Sequence, residues 1–252
     1  MLRKLIGLVA ATTIILAILI AVMGPATKFG LLDYSTSLGY LRMLVLPTMI
    51  AVALCGVGLL VSVFKKLGAG SSLFALVAVV MGAASLYAPI KMRSLAQANP
   101  FIHDITTDFE NPPPIIAAAS LSRSNPADYV GDEPAPRLDV SIRQAQADAF
   151  PDIVSWAVAG SLEDSVVRAR DVLQAMGLVI LDETEIENGR LIEAYHRSTW
   201  YGFYDDFVVR LSPGEAGIVL DVRSKSRVGL SDLGANAARI RTFRDKFNQV
   251  AG

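Results

Sequence analysis

Three uninterrupted apolar runs open the chain, and alternating apolar and polar positions dominate its last hundred residues. The runs are 5–24, about 43–64 and about 71–90, and none contains an acid or a base. Each is long enough to cross a hydrocarbon core of roughly 30 Å as a helix. Basic residues punctuate their ends: Arg3 and Lys4, Lys65 and Lys66, Lys91 and Arg93. Small residues recur at helical spacing along each run: Gly7, Ala10, Ala17, Ala21 and Gly24; Ala51, Cys55, Gly58 and Ser62; Ala75, Ala78, Gly82 and Ser85. Such stripes let helix backbones approach closely in lipid. The pattern predicts a three-helix transmembrane region over 1–92. The absence of an ionisable residue from the spans argues for a packed bundle rather than a substrate pathway. The length of the first run, and the presence of two more after it, argue for a retained anchor rather than a cleaved leader.

No helical or strand period survives in 93–151. Eight of the twelve prolines fall between 96 and 152. This predicts an extended lead, with polyproline character at Pro112-Pro113-Pro114. The run Phe101 to Asp108 is too rich in apolar and hydroxyl residues for a plain spacer, so part of the lead is expected to dock on the C-terminal domain.

From residue 152 the period returns and predicts an α+β domain over 152–250. Ile153–Val158 reads as a strand. Ser161, with Asp164 three residues on, caps a helix faced by Leu162, Val166, Ala169, Leu173 and Met176, and Gly177 ends it. Strands come next at 178–181, 190–199, 203–211 and 218–227, with a hairpin turn at Asn188-Gly189. Ser231 is read as the cap of a last helix faced by Leu233, Ala237, Ile240, Phe243 and Phe247. The order β-α-β-β-β-β-α fits an antiparallel sheet with two helices on one face.

Charge divides along the same boundary. Residues 1–90 hold one acid, Asp33, and six bases, whereas the rest of the chain holds 23 acids and 17 bases. The mean hydropathy of +0.44 therefore averages two different solvents. An acidic soluble part argues against nucleic acid as a partner. The bases Arg3, Lys4, Lys65 and Lys66 outnumber Lys28 and Arg42 across the short loops, which predicts a cytoplasmic N-terminus. Three spans then place the C-terminal domain outside, in the periplasm if the membrane is a bacterial inner membrane. Cys55 is the only cysteine, so no intramolecular disulfide and no four-cysteine zinc site can form.

Strand register carries the candidate chemistry. Pairing Leu211 with Ile218 sets Asp206 opposite Arg223, as an exposed ion pair, and puts Asp205 on the apolar face. Around the other turn His196 falls opposite Asp205. A polar cluster of His196, Asp205, Ser224 and Ser226 is thus expected at one end of that face. Serine, histidine and aspartate can together activate a nucleophile, but no Gly-x-Ser-x-Gly turn strains a serine into position. No catalytic residue is assigned on these grounds, and no cofactor or metal is implied; a His103–Asp104–Asp108 group is the only metal-like set. Arg223, Lys225 and Arg227 form a basic stripe on the opposite face, read as paired with Asp206 and Asp221 or as facing an anionic or lipid-like ligand.

The run Tyr201-Gly-Phe-Tyr-Asp-Asp-Phe-Val-Val-Arg210, then Asp221-Val-Arg-Ser-Lys-Ser-Arg-Val-Gly-Leu-Ser-Asp-Leu-Gly-Ala-Asn236 and Arg239, resembles the family of domain of unknown function 1499 over about residues 100–250. Ile102 to Asp108 with Asn111-Pro112-Pro113 is similar to the start of that domain in its membrane-anchored members. The resemblance implies signature positions at Asp205, Asp206, Arg223, Ser224, Ser226, Arg227, Ser231, Asp232 and Asn236, which are the candidate ligand-binding residues, and no activity. The chain lacks the Cys-Pro…Asn-Cys start of some members and carries His196 at a position of smaller polar residues.

The expected function is accordingly a membrane protein with an outward-facing module that binds a ligand or an envelope partner, with a pocket between sheet and helices rimmed by Asp205 and Arg227. An envelope hydrolase using His196, Asp205 and a serine is one alternative, and a structural subunit of a membrane complex is the other.

Overall fold

The computed structural model describes residues 1–249. The chain forms two compact units, Met1–Ser94 with Thr199–Gly202, and the remainder from Leu95.

The first unit is built on α1 (Leu2–Lys28), α2 (Tyr34–Phe64) and α3 (Ala69–Ala98), each apolar and long enough to cross a membrane. They bury the small side chains of the stripes: Ala10, Ala17, Ala51, Cys55, Ala75 and Ala78 are almost inaccessible, while Leu8, Ile15, Leu46, Leu54 and Val57 face outward. That is the inside-out pattern a bilayer demands, with small residues at helix contacts and large ones toward lipid. Polar groups in the bundle are satisfied locally. Thr13 Oγ1 donates to the Val9 carbonyl at 2.8 Å, and Ser62 and Ser72 hydroxyls meet at 2.9 Å. The lone acid, Asp33, is the N-cap of α2 and accepts from the Thr36 amide at 2.9 Å.

The second unit is an α+β domain. Its sheet runs β1 (Asp104–Thr106), β6 (Gly217–Ser226), β5 (Tyr204–Gly214), β4 (Gly189–Arg197), β3 (Val179–Ile186), all antiparallel. A further short strand, β2 (Trp156–Val158), also pairs with β6. Two helices, α5 (Leu162–Ala175) and α6 (Ala235–Gln249), cover one face. Phe207, Leu220 and Val222 of the sheet and Leu173, Phe243 and Phe247 of the helices are wholly or almost wholly buried there, and Phe243 packs against Trp156, Phe207 and Phe247. The helices thus fill the apolar face.

From residue 156 on, the element order is the β-α-β-β-β-β-α read from the pattern. Five details differ. The lead holds β1 and a short helix, α4 (Ile142–Ala149), capped by Ser141; three strand residues and two helical turns are too few for a visible period. The strand predicted at 178–181 continues to Ile186 as β3. Ile186 pairs with Gly189, so the tight turn is Glu187-Asn188, one residue earlier than expected. Leu211 pairs with Leu220, not Ile218, because β5 and β6 run on to a turn at Glu215-Ala216. Finally, α6 starts at Ala235, and Asp232 caps it: its two carboxylate oxygens accept from the amides of Gly234 at 2.8 Å and Asn236 at 2.7 Å. Ser231 only accepts from Leu233, a residue with φ of 59°, so Leu233 is outside the helix face.

Candidate functional site

The signature side chains divide between the two faces of the sheet. On the helical face, Asp205 lies opposite His196 of β4 and opposite Ser226 of β6. The expected cluster therefore assembles, but two residues of α6 occupy its centre. Asn236 accepts from the Ser224 hydroxyl at 2.7 Å and donates to the Ser226 hydroxyl and the His103 carbonyl, both at 3.1 Å. Arg239 donates to Asn236 at 2.6 Å, Ser224 at 3.2 Å, Asp205 at 2.9 Å and His196 Nδ1 at 3.2 Å.

This arrangement sets the chemistry. A guanidinium only donates, so His196 Nδ1 is the acceptor and the ring proton belongs on Nε2. Burial and the Arg239 charge lower the His196 pKa, against the pull of Asp205. The Ser224 proton is committed to Asn236 rather than offered to a base. His196 Nδ1 and the Asp205 carboxylate stand 4.0 Å apart with Arg239 serving both. The network is closed on itself and does not present an activated nucleophile. Nearby, burial pushes the Asp232 carboxyl up to about 6, although the two amides it accepts from favour its charge.

On the opposite face the basic stripe is present but not solvated. Residues of the lead cover it, with Ile115 and Ala118 packed on Leu191 and Val208. Arg223 makes two hydrogen bonds of 2.9 Å to Asp104 and donates to the carbonyls of Pro113 and Ala127. Lys225 Nζ lies 2.9 Å from Asp104 and donates to the Asp128 carbonyl at 2.6 Å. Burial opposes the Asp104 charge, but Arg223 and Lys225 outweigh it and hold the carboxyl below its ordinary range. Asp206 is held by Arg227 at 2.7 Å and by Arg123 of the lead at 3.1 Å. The Arg227 guanidinium lies over the rings of Tyr195 and Tyr204. Arg210 bridges Asp221 and Asp108 at 2.8 and 2.9 Å, and Ser155 also bonds Asp221. Glu193 is almost fully buried and accepts from the amides of Ile116, Ala117 and Ala118.

Two expectations fall with this geometry. Asp206 and Arg223 are not an exposed cross-strand pair: Asp206 stands opposite Lys225, and Asp206 and Arg223 are only 1% and 2% exposed beneath the lead. Asp205 and Arg227 cannot rim one pocket, because alternation puts them on opposite faces. Asp104 and Asp108 serve different arginines, and among the described residues no group of three or more His, Cys, Asp or Glu is placed to hold a metal. Glu193, Arg123 and the central role of Arg239 were not picked out from the sequence; for Glu193 the one available sign was its place between Leu191 and Tyr195 on a single strand face.

At the end of this face lies a groove of about 500 Å³, open to solvent and lined by Asn111, Pro114, Leu191, Arg210, Ser212 and Pro213 among others. Six of its eleven lining residues are polar or charged, Glu187 and Asp221 among them.

Among known proteins, the family model described as "Protein of unknown function (DUF1499)" matches residues 104–247. No curated protein and no solved structure matches the chain.

Proposed function

The chain belongs to the DUF1499 family, and from that premise we propose that it is a membrane-anchored binding module of the cell envelope. Its C-terminal domain faces outward from a bacterial inner membrane and engages an envelope partner or an anionic, lipid-like ligand. The observation that carries this is the open groove beside Arg210. The signature side chains of both faces are committed to partners inside the domain, whereas the groove offers Pro114, Leu191 and Pro213 together with polar side chains to an incoming segment. The outward orientation is supported by the bases Arg3, Lys4, Lys65 and Lys66 on the loops assigned to the cytoplasm.

Two measurements test it. A photo-crosslinking side chain in place of Ser212, inside the groove, is expected to yield a discrete adduct in cells, and one in place of Gln174 on α5 is not. No adduct at Ser212, or the same adducts from both positions, would overturn the binding site. For orientation, the only native cysteine is buried, so a cysteine replacing Glu187 gives a clean signal. A membrane-impermeant maleimide should label it in intact spheroplasts; labelling only after lysis would reverse the topology.

A further inference from the structure

The turn between β4 and β5 reads Ser198-Thr-Trp-Tyr-Gly-Phe203, and its tip, Thr199–Gly202, clusters with the helices of the first unit. Three features make this a fitted contact. Pro25 lies inside α1. Proline has no amide hydrogen, so the carbonyl four residues earlier, Ala21, loses its helical donor. The indole N–H of Trp200 donates to that carbonyl at 3.2 Å. Second, the indole lies against Gly24, where a Cβ would overlap the ring. Third, Lys28, at the last position of α1, donates through Nζ to the Thr199 carbonyl at 3.0 Å. Tyr201 packs edge-on to the indole with centroids 5.0 Å apart.

We infer that Thr199–Gly202 is an interfacial membrane anchor: Trp200 lodges at the boundary between hydrocarbon and headgroups, with the lipid interface as its partner, and the buried Tyr201 backs it from the protein side. Lys28 marks the water side of α1. Ala21 lies seven residues earlier, about 10 Å deeper at the helical rise. An amphipathic ring between these levels occupies the zone where tryptophan and tyrosine are enriched in membrane proteins. The missing amide at Pro25 explains why the ring is held at this depth. In lipid an unpaired carbonyl is costly, and the indole N–H supplies the donor.

The test uses the full chain in phosphatidylcholine vesicles. Trp156 is the only other tryptophan, so Trp156→Phe leaves Trp200 as the sole reporter. Its emission is expected at short wavelength, quenched most by lipids brominated near the headgroup, less by lipids brominated near the chain end, and least by acrylamide. Gly24→Ala is expected to shift the emission to longer wavelength and raise acrylamide quenching, because the methyl group displaces the ring while alanine otherwise favours a helix. Strong acrylamide quenching without bromolipid quenching in Trp156→Phe would overturn the anchor. So would strongest quenching by the deep bromines, or a Gly24→Ala protein with unchanged emission. Should Trp156→Phe misfold, the difference between wild-type and Trp200→Phe spectra gives the same comparison.

Discussion

Asp104 of β1 and Arg223 of β6, diagonal neighbours on one face of the sheet, are joined by two parallel hydrogen bonds of 2.9 Å, with at most 2% of either side chain exposed to water. The pair joins the start of the domain to its last strand. It also gives the signature arginine a structural task, since the guanidinium reaches the carbonyls of Pro113 and Ala127 as well. Breaking a buried pair from one side leaves an uncompensated charge. Asp104→Asn would leave both Arg223 and Lys225 without their carboxylate, and a loss of about 3–5 kcal/mol is expected in chemical denaturation of the C-terminal domain. A loss well under 1 kcal/mol would show that the lead is not fastened by this pair.

Glu193 makes a second fastening. Its carboxylate serves three successive amides of the lead, and Glu193→Gln removes the charge and part of the accepting capacity. The cost is expected to be about 1–3 kcal/mol. Faster hydrogen exchange at Ile116, Ala117 and Ala118, with protection in α5 unchanged, is the local signature to measure.

Arg239 holds four partners at the end of the apolar face. Arg239→Lys keeps the charge but not the planar fork, and a loss of about 1.5–3 kcal/mol is expected. His196→Ala removes a partly exposed side chain bonded to Arg239, so it should cost much less. If His196→Ala proved the more damaging of the two in thermal unfolding, Arg239 would not be the centre of the network.

Asp232 makes stability depend on pH in a definite direction. Its folded pKa is raised to about 6 from 3.8. Between those values the unfolded chain releases the proton and the folded chain keeps it, so stability falls as pH rises through that window and the loss is complete above about 6. His103 and His196 act in the opposite sense: their pKa values are lowered in the fold, chiefly by burial, so stability is lost as pH falls below about 6.5. Comparing wild type with Asp232→Asn isolates the first effect. The stability difference in favour of Asp232→Asn should grow from pH 4 to pH 6, and a constant difference would exclude Asp232 as its source.

Trp156 Nε1 is buried with no hydrogen-bond partner. Trp156→Phe removes an unsatisfied donor while keeping most of the ring contact with Phe243, so the two effects offset. A change of less than about 1 kcal/mol in unfolding free energy is expected.

What the sequence revealed depended on the period of each element. The spans stand out because twenty uncharged residues admit few other interpretations. Phe207, Val209, Leu220 and Val222 were placed on the correct face although β5 and β6 pair two residues away from the expected register, because a shift of two preserves alternation. His196 lies opposite Asp205 in the register expected for β4 and β5, with no shift. The second face was misjudged because Arg223, Lys225 and Asp206 are residues that normally seek water. The run Phe101 to Asp108 announces that part of the lead docks, but nothing local says that it docks on this face. The closed network around Arg239 was equally hidden, since it needs α6 laid across the sheet at a particular phase.

The two short strands on the outer edge of β6 bear on how the domain is made. β1 pairs with 223–225 and β2 with 218–220, so the earliest strand of the domain waits for the last. Asp104 and Lys225 are neighbours separated by most of the domain's length. Contacts of such long range must meet a large loop-closure cost before they stabilise anything, and they make folding slow. During synthesis the lead emerges long before the strand that will hold it. Until β6 arrives, Asp104 lacks the Arg223 and Lys225 that neutralise it. The domain can therefore close only once β6 has been made, and a chain halted before residue 217 would lack the strand that joins its two sides.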